Sequence, residues 1–186
     1  TGTKWMMAPK TSGIAPAALL SGLRVKEGAQ IYLARDAAAM ETAGDQLDLD
    51  LTLPVEFPRA YTVISSGLLN DVQPLVAPDT ASIPFSGEIK LRVIQAAPSA
   101  GTVDVYVTDP SASLVGATPL FEDLPFRGNT EYLVLPVGNL RIRVTTAGTT
   151  NTLVDLTQLL GERVMRTVVV TDAAGGGAPF AGMLLV

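Results

Sequence analysis

Leu47-Asp48-Leu49-Asp50-Leu51-Thr52-Leu53 decides the fold class: four leucines fall on one face of an extended chain, and Asp48, Asp50 and Thr52 fall on the other. Pro54 ends the run, because proline cannot donate to a strand ladder. The same alternation returns in Lys90-Leu91-Arg92-Val93, Val103-Asp104-Val105-Tyr106-Val107 and Leu140-Arg141-Ile142-Arg143-Val144. Thr62-Val63-Ile64 and Thr167-Val168-Val169-Val170-Thr171 are richer in β-branched residues and read as central strands. Helical periodicity is weak, and its best stretch, Ala37-Ala38-Ala39-Met40-Glu41, is too short to hold a helix unaided. Short alternating runs punctuated by Gly, Pro, Asn and Asp predict an all-β chain.

Internal similarity sets the organisation. Ala60 to Ser65 corresponds to Arg166 to Thr171, and Glu27 to Leu33 to Val137 to Arg143, at closely similar offsets. Thr1 to Met7 parallels Gly101 to Val107. The expectation is two tandem immunoglobulin-like or Greek-key β-sandwich repeats, 1–84 and 85–186. The stretch Val76 to Gly87, with Pro78, Pro84 and Gly87 and with Pro74 just before it, is the expected connector. On this alignment Glu88 to Ala96 has no first-repeat counterpart, so the first repeat lacks one N-terminal strand. Its open edge would then be filled by removed residues, by the connector or by a strand from another chain. A monomer, or a weak homo-oligomer through sheet edges, follows. Since the sequence starts at Thr1 rather than Met, upstream residues are expected to have been removed, and any signal peptide or lipid-bearing cysteine would have gone with them.

The chain has 186 residues, 47% hydrophobic and 17% charged, so it has ample apolar surface for a core. Net charge is −5 with no dense Lys/Arg block, which argues against nucleic acid. No apolar run reaches the ~20 residues needed to span a bilayer as a helix. The chain contains neither Cys nor His. That removes disulfides, thiolate or imidazole metal sites, thiol nucleophiles and the Ser-His-Asp triad within these residues.

The second repeat resembles a bacterial envelope family, the domain of unknown function 4397. The resemblance rests on Arg92-Val93-Ile94-Gln95-Ala96-Ala97-Pro98, Val103 to Val107, Tyr132-Leu133-Val134-Leu135-Pro136-Val137-Gly138, Arg141-Ile142-Arg143-Val144-Thr145 and Thr167 to Val170, in order and register. The first repeat fits from about Val25 onward, through Gly28 and Tyr61-Thr62-Val63. Gln95 stands where that family usually has His. The resemblance implies tandem β-sandwich units, secreted or held at the envelope, without established catalytic residues. By architecture alone the chain is also similar to two-sandwich periplasmic accessory proteins of exopolysaccharide modification.

Candidate sites are few. Asp104 shares the polar face of its strand with Tyr106, and with Asp109 and Asp123 it could supply oxygen ligands to a cation; no EF-hand-type loop accompanies them, so that face reads as solvated. Asp48 and Asp50 read as the wet side of a strand rather than a catalytic pair. Gly175-Gly176-Gly177 lacks the Lys-Ser/Thr of a phosphate loop and reads as a hairpin loop. Arg141 and Arg143 project together and could hold an anionic sugar or partner, or pair across strands with acidic residues. Trp5, the single tryptophan, reads as core or as a contact between repeats. No cofactor, metal or catalytic residue is expected. The functional expectation is a non-catalytic extracytoplasmic structural or protein-interaction module: periplasmic, cell-surface or secreted. An envelope or exopolysaccharide-binding accessory protein is the alternative, and a carboxylate-based hydrolase the third reading.

Overall fold

The computed structural model describes residues 30–33, 60–67, 71, 73–79, 81–173 and 176–185. Trp5, Ala37 to Glu41 and Leu47 to Leu53, including the expected core positions Leu49 and Leu51, lie outside the described residues. The chain divides into two compact units, Thr1–Thr80 and Ala81–Val186. The described secondary structure is β-strand, with one 3-10 turn at Pro98–Ala100 and no α-helix among the described residues.

The first unit contains β1 (Gln30–Leu33), β2 (Ala60–Ser66) and β3 (Gln73–Asp79) in a sheet of order β1-β2-β3. β2 is central, as its β-branched run implies, and Val63 and Ile64 are buried. It pairs antiparallel with β3, from Ala60 opposite Asp79 to Ser66 opposite Gln73. Val76 to Asp79 is therefore strand rather than connector, which corrects the reading of Pro74 and Pro78 as boundary signals. Among the described residues both prolines sit on a strand that pairs with β2, Pro74 opposite Ser65 and Pro78 opposite Tyr61.

In the second unit, β4 (Glu88–Gln95), β7 (Leu133–Pro136), β10 (Val164–Thr171) and β11 (Ala181–Leu185) form one sheet, ordered β11-β10-β4-β7. β5 (Val103–Thr108), β6 (Phe121–Leu124), β8 (Gly138–Thr146) and β9 (Thr152–Leu160) form the other, ordered β6-β5-β8-β9. The chain passes between the sheets four times, and they pack face to face on Leu91, Val93, Val103, Val105, Ile142, Val144, Val154, Val168 and Val170, all buried. Burying each such side chain contributes about 1.5–3 kcal/mol before chain entropy is set against it. Ile64, Val105, Ile142 and Val169, positions assigned to the core from sequence, are all buried, but Val169 lies on the face of β10 opposite Val168 and Val170, away from the packing between the sheets. Where β11 meets β9, a Cβ on Gly182 would lie 2.6 Å from Leu156 Cδ1 and 2.9 Å from Val154 Cγ1, so close packing requires glycine there.

The repeat alignment is corrected by the pairing. β10 lies parallel to β4 and antiparallel to β11. β2 lies parallel to β1 and antiparallel to β3. Gln30–Leu33 therefore holds the position in its sheet that Glu88–Gln95 holds in the other. Val137 to Arg143 instead runs into β8, which pairs antiparallel on both sides. The first unit does not lack that strand: β1 occupies the edge of β2 expected to stand open.

Candidate functional site

Alternation along β5 sends Val103 and Val105 into the core and Asp104 and Tyr106 to the outer face of their sheet. On β8 the same geometry sends Arg141, Arg143 and Thr145 outward, with Tyr106 opposite Arg143 and Asp104 opposite Thr145. This face is not solvated, contrary to the sequence reading: Asp104, Tyr106, Arg143 and Thr145 are all buried. The segment between β5 and β6 folds back over it. Leu120 N–H donates to the Val105 carbonyl at 2.7 Å, and Leu114 is buried.

Asp104 holds two turns against the sheet. Its Oδ1 accepts the Asp123 N–H at 2.9 Å, and its Oδ2 accepts the Gly148 N–H at 2.8 Å. Both donors occupy left-handed backbone, Asp123 at φ 51° and Gly148 at φ 69°. Glycine adopts that region freely and Asp tolerates it better than most residues. Asp104 and Asp123 thus meet through a backbone amide, not as paired carboxylates, and Asp109 does not line the same space. Among the described residues no group of three or more acidic side chains is placed to hold a metal ion.

Both arginines are engaged inside their own unit. Arg141 grips Asp155 on β9 through Nε at 2.9 Å and Nη2 at 2.6 Å, and its Nη1 donates to the Pro110 carbonyl at 3.0 Å. The paired hydrogen bonds raise the Arg141 pKa and lower that of Asp155. Arg143 Nη2 donates to Thr108 Oγ1 at 2.8 Å and to the Ala112 carbonyl at 2.9 Å. The two guanidinium groups therefore fasten the Pro110–Ala112 chain to the sheet.

Beside these fasteners lies a cleft of about 690 Å³. Asp104 and Tyr106 line it from β5, Leu114 and Pro119 from the covering segment, Glu122 and Asp123 from β6, and Thr149 and Thr150 from the β8–β9 turn. No Lys or Arg lines it. Tyr106 is 6% exposed, and its hydroxyl forms no hydrogen bond among the described residues. Glu122, Thr149 and Thr150 went unread in the sequence, since loop and short-strand residues carry no periodic signal; Gly116 and Gly148 mark only the turns.

Among the described residues the opposite sheet holds three buried polar side chains, Arg92, Gln95 and Thr167. Gln95, fully buried, donates Nε2–H to the Gly101 carbonyl at 2.9 Å and accepts the Ala97 N–H at 3.1 Å. It fixes the turn between β4 and β5. Arg92, read from alternation as a polar-face residue, is 1% exposed. Its Nε donates to Thr167 Oγ1 at 2.9 Å, and its guanidinium lies 4.6 Å from the centre of the Tyr132 ring. Gly176 and Gly177 lie in the β10–β11 connection.

A family model described as Domain of unknown function (DUF4397) matches residues 9–106. The match covers more than half of the chain and ends at Tyr106, on the cleft. The stretches from Tyr132 to Val170 that share in the sequence resemblance lie beyond it. No curated protein matches the chain.

Proposed function

This chain belongs to the DUF4397 family, and from that premise we propose that it is a non-catalytic extracytoplasmic module that scaffolds or binds a partner at the cell envelope. One observation carries the proposal. The charged side chains that β5 and β8 send outward are committed to holding loops: Asp104 to two backbone amides, Arg141 to Asp155 and Pro110, Arg143 to Thr108 and Ala112. Groups fixed in this way build a rigid surface, and binding gains from such preorganisation. The envelope setting extends the family resemblance to this chain.

Two measurements test the reading. Protease accessibility in intact producing cells or after permeabilising only their outer membrane should show the protein outside the cytoplasm, and protection until the cells are lysed would contradict that. A panel of ester, glycoside and peptide substrates should show no turnover; hydrolysis abolished by Glu122→Gln would instead establish the carboxylate-hydrolase alternative. The second reading, a glycan-binding accessory protein, is favoured by the cleft lined with hydroxyls and carboxylates beside Leu114 and Pro119.

A further inference from the structure

We propose that the cleft of the second unit binds an amine-bearing saccharide, its ammonium group held by Glu122 and Asp123 and a sugar hydroxyl by the Tyr106 phenol. The inference rests on the reading of this unit as a binding module and goes on to name the ligand chemistry. Three features of the lining select the class. The first is charge. Asp104, Glu122 and Asp123 line the cleft without any Lys or Arg, and the neighbouring Arg141 and Arg143 are tied to Asp155, Thr108 and backbone carbonyls. Anionic sugars meet repulsion here, while a cation meets two exposed carboxylates.

The second is the tyrosine. With Tyr106 6% exposed, its ring cannot serve as the stacking platform on which neutral-sugar binding commonly depends. Its hydroxyl, without a protein partner among the described residues, is left as a hydrogen-bonding group that a ligand can use. Asp104 next to it is held by two backbone amides, one on each carboxylate oxygen. The third is shape. At about 690 Å³ the cleft falls within the ~300–1,000 Å³ range of small-ligand sites. The lining combines the threonines Thr149 and Thr150 with the apolar Leu114 and Pro119, which suits a polyhydroxylated ring better than the bare methylene chain of a lysine side chain.

Calorimetric titration of the whole chain with a glucosamine tetramer, its fully N-acetylated counterpart, a galacturonate tetramer and tetralysine tests the proposal. Saturable binding of the glucosamine tetramer is expected, weakening as salt rises. The N-acetylated and galacturonate tetramers should bind at least tenfold more weakly. The double substitution Glu122→Gln with Asp123→Asn should lower affinity about tenfold or more, since it removes both charges that meet the ammonium. Both residues are exposed, and asparagine keeps the tolerance for left-handed backbone that position 123 needs. Tyr106→Phe should weaken binding several-fold with unchanged thermal melting. Absence of saturable binding, equal binding of the N-acetylated tetramer, or tighter binding of tetralysine overturns the inference. Equal binding of the N-acetylated form leaves the binding-module reading standing, whereas turnover of a tetramer removes that reading itself.

Discussion

Replacing Asp104 by Ala should loosen both turns of the cleft and destabilise the second unit by about 2–4 kcal/mol. Asp104 is 5% exposed and accepts the Asp123 and Gly148 amides at 2.9 and 2.8 Å. Alanine removes both acceptors, and each stranded buried N–H costs about 1–3 kcal/mol. The sum is discounted because both amides belong to turns that can open to water. Against a total stability of ~5–15 kcal/mol this is a large loss. In urea, with a slope of ~1–3 kcal/mol per molar, the midpoint should fall by about 1–2 M without a change in slope. Asp104→Asn, which keeps one acceptor oxygen, should lose about half as much. Hydrogen exchange read at single amides localises the effect: Asp123 and Gly148 should lose protection while Val105 and Val144 keep theirs relative to global stability. An unchanged midpoint, with protection retained at both turn amides, would refute the assignment of Asp104 as their anchor.

Ile142→Asp places an unpaired charge among Val105, Val144 and Val154 and should leave the second unit unfolded, as read by loss of cooperative melting. Gln95→Leu should cost about 2–4 kcal/mol by stranding the Gly101 carbonyl and the Ala97 amide, whereas Gln95→His, able to donate and accept, should recover at least half of it; equal destabilisation by both would contradict the turn-fixing role. Gly182→Ala should overpack the β9–β11 contact and cost about 1–3 kcal/mol in denaturant titrations. Asp155 is held below its ordinary pKa by Arg141, and Glu162 by hydrogen bonds from the Ser86 hydroxyl and the Gly87 amide. Carboxylates with depressed folded-state values contribute stability above their unfolded pKa of about 4 and lose it as pH falls through the folded value. Melting temperature should therefore drop on acidification below about pH 4, and Glu162→Gln should flatten part of that drop; a pH-independent melt across this range would contradict it.

The fold was legible because strand periodicity is local. Val105 and Ile142 can be assigned to the core face from their neighbours alone, whereas the unbroken valines of β10 hide that Val168 and Val170, not Val169, face the other sheet; β2 and β10 announce themselves as central through their β-branched runs. Pairing is not local. Glu27 to Leu33 aligned with Val137 to Arg143 by residue type, yet the parallel ladder with β2 gives it the place of Glu88–Gln95. Pro74 and Pro78 looked like linker residues because proline usually punctuates strands, and the pairing of β3 with β2 is visible only in the folded chain. Arg92 and Asp104 were misjudged for a related reason. Alternation says which face a side chain takes but not whether anything folds over that face, and here Tyr132 and the Asp109 to Leu120 segment do so. The cleft, assembled from β5, β6 and two loops, had no periodic signature to find.

The central claim is that this chain binds without transforming what it binds, and a single-injection calorimetric trace of the glucosamine tetramer against the intact protein tests it most directly. A brief saturable heat followed by return to baseline, with the tetramer recovered whole by mass spectrometry, is the predicted result. Heat that persists until the tetramer is consumed, with shortened or modified products, would contradict it.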